Sequence, residues 1–439
     1  MRVILAVAGL AAAQASTPDY SSQLHAWLEA LNDHPVLNIV FGRPLAFLAS
    51  LLPIEYAVLV LGTLTLTVTF LVPYIVNSII ARTLSNENTK TREALEQAIQ
   101  TARLNAESRR PNLYPAKCPV VTPKGVGKVQ SYNADRAMYS VDVQGKVVNV
   151  TAAQIPSTRV VDLFIYPIKS CGSIRLKTAD ILKRGLAYDR QWLIVDGKND
   201  FVTQRKQPKM ALLQPVLDVN KPESITLTGP GMEPLVVPVT TRGIERNVRV
   251  WKDRIDSIDQ GDAAAAWIAK FLDNPTYRLV YFKESFRRQC EIEFAPDHET
   301  GFADGFPILI VAKESLEAIQ SELKRPISIE RFRPNIVVSG CPAWADDTWR
   351  DFEIGSLRFR NVKPCSRCAI PSVDPKKGVK DDDSLSNIQD VLKSSRNGED
   401  LGFLDKKADE VFFGSNVVCD KLGPIAVGDT VKVLTVMTA

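Results

Sequence analysis

The chain has 439 residues, 45% hydrophobic and 24% charged, which is more than one ordinary domain and ample for a buried core. A formal charge of +4, with no dense Lys/Arg stripe interleaved with aromatics, gives no footprint for nucleic acid. Seven widely spread cysteines, an odd number, favour reduced thiols in a cytosol-facing compartment over a disulfide framework, and three histidines (His25, His34, His298) leave almost no basis for a histidine-built zinc or haem site.

Residues 1–16 read as a signal-like segment: Arg2, an apolar run, then Ala13-Gln14-Ala15 in a cleavage-type pattern. An apolar N-terminus without that role is the alternative. Residues 57–81 carry no charge and are long enough to cross a bilayer, so a single transmembrane helix is expected. Arg82, Lys90, Arg92, Arg103, Arg109 and Arg110 follow it, which puts the large C-terminal part on the cytosolic side. Residues 82–115 then form a polar helical stalk, capped near Ser85 or Asn86 and ended by Pro111 and Pro115.

Between 120 and 155 the pattern changes to alternating short strands punctuated by Gly125, Gly127 and Gln144-Gly145. Three or four antiparallel strands in a small SH3-like β module are expected, with an interaction or spacer role. Beyond Arg159 short strands dominate, with two helices. One follows Gly261 and is capped by Asp262, with Trp267, Ile268 and Phe271 on its apolar face. The other spans 312–323, with Leu316, Ile319 and Leu323 on one face. Strand-rich barrels with a few covering helices fit this pattern best.

Four motifs carry chemistry. Cys365-Ser366-Arg367-Cys368 has C-x-x-C spacing, but zinc needs four ligands and no second pair occurs. Pro371 and Pro375 argue against a thioredoxin-like helix start. A thiolate beside the Arg367 guanidinium could hold a soft metal next to an anionic ligand; two structural cysteines remain the alternative for this motif alone. In 329–340, alternation puts Arg331, Arg333 and Asn335 on one face of an extended segment, where guanidinium forks suit phosphate; a surface strand with ordinary charges is the plainer reading. Tyr166–Cys171 is a strand-turn presenting Lys169 and Ser170. Asp189-Arg190-Gln191-Trp192 and Thr203-Gln204-Arg205 read as salt-bridge partners more readily than as ligands. No dinucleotide fingerprint, P-loop or nucleophile elbow appears, so electrons, if used, come from a partner.

The order of these motifs is more specific than any one of them. YPIKSC, LAYDRQWLIVD, FVTQR, GDAAAAWIAKFL, FADGFPILIV, RFRPNIVVSG, CSRCAIPSVDPKKG and IAVGDTVKVL follow one another between about 160 and 434. This series resembles the molybdenum-cofactor-binding MOSC proteins, in particular the mitochondrial amidoxime-reducing component family. The resemblance implies an α+β, strand-rich, membrane-anchored protein. A β-barrel-like MOSC N-terminal domain at 159–283 would be followed by a MOSC β-barrel domain at 287–436. It implies a Mo-molybdopterin cofactor with Cys368 as metal ligand and catalytic residue. Lys169, Ser170, Arg190, Arg333, Asn335 and Ser366 match cofactor-contacting positions, and Arg367 adds its charge between the cysteines. One position departs: where animal members show Thr-Ser after an aspartate, this chain reads Asp304-Gly305-Phe306, so hydroxyl contacts are lost there.

The implied activity is reduction of N-hydroxylated compounds, with electrons from cytochrome b5 and its NADH-dependent reductase, at the mitochondrial outer membrane. The signal-like head would suit the ER instead. A cofactor carrier or sulfur-transfer protein and a membrane-tethered scaffold with a degenerate site are the alternatives. The sulfurase relationship brings pyridoxal phosphate binding among the expectations, although the chain has no desulfurase domain that uses it.

Overall fold

In the computed structural model the described residues are 114–437, apart from 134, 135, 137, 220, 221, 382–386 and 403–407. The expected signal segment, transmembrane helix and nearly all of the stalk lie outside them. Among the described residues no helix is long and apolar enough to cross a membrane.

The small module is a four-stranded antiparallel meander, Pro119–Thr122, Gly125–Asn133, Met138–Val143 and Lys146–Thr151. Burial alternates along its strands, most regularly in MYSVDV, where half-buried and buried residues take turns, as expected when one sheet face is covered. What covers it is the rest of the protein. Cys118, Val120, Tyr139 and Val141 belong to one continuous core with Cys341, Ala345, Trp349 and Phe352. The module is thus packed onto its neighbour rather than strung out as a spacer.

That neighbour is an eight-stranded sheet. Its order is Val431–Val436, Trp349–Ile354, Leu357–Ser366, Phe412–Cys419, Ile308–Ala312, Ile336–Ser339, Arg159–Ile165 and Ile174–Leu176. Neighbours are antiparallel except Ile308–Ala312 with Ile336–Ser339, whose parallel register pairs Ile310 with Ile336. Their sequences, ILIVA and IVVS, are almost wholly buried, as parallel strands covered on both faces require. Strands from both sides of the expected boundary near 283–287 share this sheet.

A second sheet runs Glu245–Val250, Asp253–Asp259, Arg278–Phe282, Trp192–Val195. Helix α1 (Asp262–Leu272) buries Trp267, Ile268 and Phe271 against the core that includes Trp192 and Leu279. Its cap differs from expectation. Gly261, at φ 91°, is the N-cap and makes no side-chain cap bond, and Asp262 bonds Arg278 instead. Helix α2 (Lys313–Gln320) is shorter than the apolar spacing predicts, α3 (Ala345–Thr348) is one turn, and α4 (Ile388–Ser395) is capped by Asn387.

Candidate functional site

A cavity of about 890 Å³ opens where the loops of the two sheets meet. That lies near the top of the usual range for small-molecule sites. Lys169, Ser170, Arg190, Arg333, Asn335, Ser366, Arg367 and Cys368 all line it, so residues almost two hundred positions apart converge on one space. The two cysteines part company there. Cys368 is exposed, whereas Cys365 is half-buried against the core around Phe332 and accepts a hydrogen bond at Sγ from Arg367 Nη1 (3.1 Å).

The segment carrying the thiols is held from both sides. Leu357–Ser366 ends at the cavity, and the Arg367 N–H donates to the Val411 carbonyl (2.7 Å). Arg367 Nη2 reaches the Phe332 carbonyl (2.8 Å), and Gln389 on α4 donates to the Cys368 carbonyl (2.8 Å). No helix starts at the thiols; a short 3-10 turn, Ile370–Ser372, follows them as the prolines require.

Arg190 and Arg333 lie over the Tyr166 ring, 4.4 and 4.1 Å from its centroid. Arg190 is an ion-pair partner of Asp189 (2.5 Å) and also donates to the Arg333 carbonyl (3.0 Å), so it has both a structural role and a place on the cavity wall. Arg333 donates through Nη1 to the Cys171 carbonyl (2.7 Å), while its Nη2 is buried without a partner. Burial, with the Arg190 charge nearby, lowers the Arg333 pKa to about 10. Such a desolvated guanidinium gains most from an acceptor-rich ligand.

The expectation of an extended 329–340 segment fails at its start. Ile329–Phe332 is a 3-10 turn and Arg333 has φ 56°, which breaks the alternation. Arg331 consequently turns away, pairing with Asp381 (2.7 Å) and bonding the Pro371 carbonyl (2.9 Å). Asn335 reaches the wall, but its carboxamide joins strands: Oδ1 accepts from the Leu309 N–H (3.1 Å) and Nδ2 donates to the Phe164 carbonyl (3.2 Å).

Lys169 is 6% exposed and donates to the Phe302 carbonyl and Asp304 Oδ1, both at 2.7 Å. An ammonium has three donors, so one N–H is left for a ligand. Burial lowers its pKa to about 8 against the opposing pull of Asp304. At Asp304 burial opposes the charge, but Lys169 and the Trp251 indole N–H outweigh it and keep the carboxylate ionised. Its side chain is two-thirds exposed, so solvent screens these influences on the carboxylate. Beside it, Gly305 lines the cavity at a point where a Cβ would come within 3.3 Å of Glu291 Oε1. Phe306 is buried with Cys290 and Val418.

Trp251, Lys363 and Arg288 are among the lining residues that no sequence motif marked as part of a site. Trp251 sits on a hairpin turn, Lys363 pairs with Glu291 (2.8 Å), and Arg288 bonds the carbonyls of Gly301 (2.8 Å) and Asp304 (2.9 Å). Lys363 lies two positions before Cys365, so its alternation with the thiol was a readable signal. Arg288, by contrast, had no motif around it.

Two family profiles match this chain, the MOSC N-terminal beta barrel domain over 157–275 and the MOSC domain over 297–432. Mitochondrial amidoxime-reducing component 1 of Homo sapiens is 33% identical over 288 residues, 63% of this chain and 82% of the relative. Mitochondrial amidoxime reducing component 2 of Homo sapiens is 31% identical over 287 residues, covering 62% of this chain and 82% of the relative. A crystal structure of the YuaD protein from Bacillus subtilis aligns with TM-score 0.29 and 12% identity, over 63% of this chain and 94% of that one. Neither matched domain gives support to pyridoxal phosphate binding, and that expectation is withdrawn. With both domains matched in order and the motif series intact, the chain belongs to the MOSC-domain proteins of the mitochondrial amidoxime-reducing component family.

Proposed function

We propose that this chain is a molybdenum-cofactor enzyme that reduces N-hydroxylated compounds. The observation that carries the reading is that an exposed thiol, Cys368, opens into the same cavity as Lys169, Arg190, Arg333 and Arg367. The donor set fits an anionic pterin: Arg333 keeps Nη2 unpaired in the interior, Arg367 keeps Nε unpaired, and Lys169 keeps one N–H in reserve. Cys368 would ligate molybdenum, a soft thiolate suiting that metal. Lys169, Arg190 and Arg333 would hold the anionic portion, and Ser170, Asn335, Ser366 and Arg367 would contact the remainder.

When bound, the cofactor supplies a two-electron redox centre. The protein's own part is to keep Cys368 in place through the Arg367 and Gln389 contacts on its flanks, and to orient the Lys169 ammonium through Phe302 and Asp304 so that its third N–H is free for the ligand. Electrons would come from cytochrome b5 and its NADH-dependent reductase. The names of the relatives support a mitochondrial site. The uncharged run 57–81 and the cations that follow it in the sequence support a single anchor with the cavity on the cytosolic side. Benzamidoxime reduction with those donors tests the proposal. Cys368→Ser should abolish turnover and Cys365→Ser should retain most of it. Full activity in Cys368→Ser would remove the thiol from the mechanism.

A further inference from the structure

Trp251 stands where a tryptophan is costly. Trp251 and Lys252 form the two-residue turn between Glu245–Val250 and Asp253–Asp259, closed by the Val250–Asp253 pair, and Trp251 has φ 56°. Asn, Asp or Gly is favoured at such a position, and a bulky aromatic there stores conformational strain. The ring is nonetheless fixed. Its Nε1 donates to Asp304 Oδ1 (2.8 Å), the Arg205 guanidinium lies 4.5 Å from its centroid, and the Phe201 ring is 5.1 Å away.

Depth separates the cavity into two parts. Lys169 and Asn335 are buried at the inner wall, whereas Trp251, 45% exposed, and Cys368 face the opening. An anionic cofactor is drawn to the buried cations, so a ligand arriving afterwards from solvent meets the indole and the thiol side. We infer that Trp251, braced by Arg205 and Asp304, is the wall on which the planar, non-reacting part of the substrate rests. It thereby selects aryl N-hydroxy compounds over small alkyl ones; this rests on the reductase reading. Trp251 is a specificity residue and takes no part in the N–O chemistry.

The test is equilibrium binding to cofactor-loaded protein without electron donor, by titration calorimetry with benzamidoxime and with acetamidoxime. Trp251→Gly suits the backbone at φ 56°, which offsets part of the lost ring contacts, so the variant should still fold with at most a small fall in Tm. It should bind benzamidoxime about tenfold more weakly while leaving acetamidoxime unchanged. Trp251→Phe should restore most of the difference, and pterin content should match wild type in both variants. Equal losses for the two amidoximes, no loss for either, or loss of pterin from Trp251→Gly would each overturn the inference while leaving the reductase reading intact. Failure of the wild-type protein to bind either amidoxime would overturn both.

Discussion

At Arg333 the chain buries a guanidinium with one nitrogen unpaired, beside a second guanidinium on the same tyrosine ring. Like charges in a dry wall oppose folding unless a ligand compensates. Arg333→Met should therefore leave the apoprotein about as stable as wild type while cutting cofactor occupancy at least tenfold. Pterin released from purified protein, read by fluorescence, checks this; normal occupancy would mean that Arg333 only braces Cys171. The candidate residues themselves were legible because their chemistry is local: C-x-x-C spacing, and a basic residue at the end of an apolar run. Their partners were not. Nothing near Lys169 in sequence announces Asp304, since 135 positions of chain fold between them. The failure at Arg331 is physical too. A left-handed residue at Arg333 resets the face that alternation predicts, and backbone handedness at an arginine has no sequence signature.

At the scale of elements, one-turn helix α3 brings Asp346 and Asp347 into the interior. Asp346 has Oδ2 unpaired, and Asp347 is paired with Arg396, which lies just beyond α4. Burial, reinforced by the neighbouring Asp347, raises the Asp346 pKa to about 8, and the Asp347 carboxyl is raised as well. The folded state thus binds protons more tightly than the unfolded chain. Stability is full below the ordinary aspartate pKa and is lost as pH rises toward 8. Asp346→Asn should flatten this slope and stabilise the protein at pH 8 relative to wild type. Denaturant midpoints at pH 5 and pH 8 decide it; an unchanged slope would show that Asp346 is not the titrating group. α4 also carries Gln389, which bonds the Cys368 carbonyl, so this buried pair helps to seat the thiol segment. Helix existence was readable from apolar spacing, as in α1 and α2. Their ends were not, because Gly261 rather than Asp262 caps α1 through tertiary geometry.

For the whole molecule, the module at Pro119–Thr151 shares a core with the large sheet, so the described residues should unfold together. Tyr139, fully buried, ties the two. Tyr139→Ala should cost roughly 3–5 kcal/mol and lower one common thermal transition. A separate early transition, with the main one unmoved, would mean that the module is independent. Alternation in MYSVDV made the strands plain in advance, but the identity of the surface they bury against was not encoded locally. The same holds for the sheet that draws strands from either side of 283–287. Ordered motifs gave the family, whereas only tertiary packing gave the cavity, where thiol, cations and Trp251 converge. The central claim is that this cavity holds molybdenum and a pterin through Cys368. Metal analysis of protein purified from a cofactor-competent host is its most direct test. About one molybdenum per chain is expected, with a clear reduction in Cys368→Ser. Wild-type protein lacking both molybdenum and pterin would contradict the account.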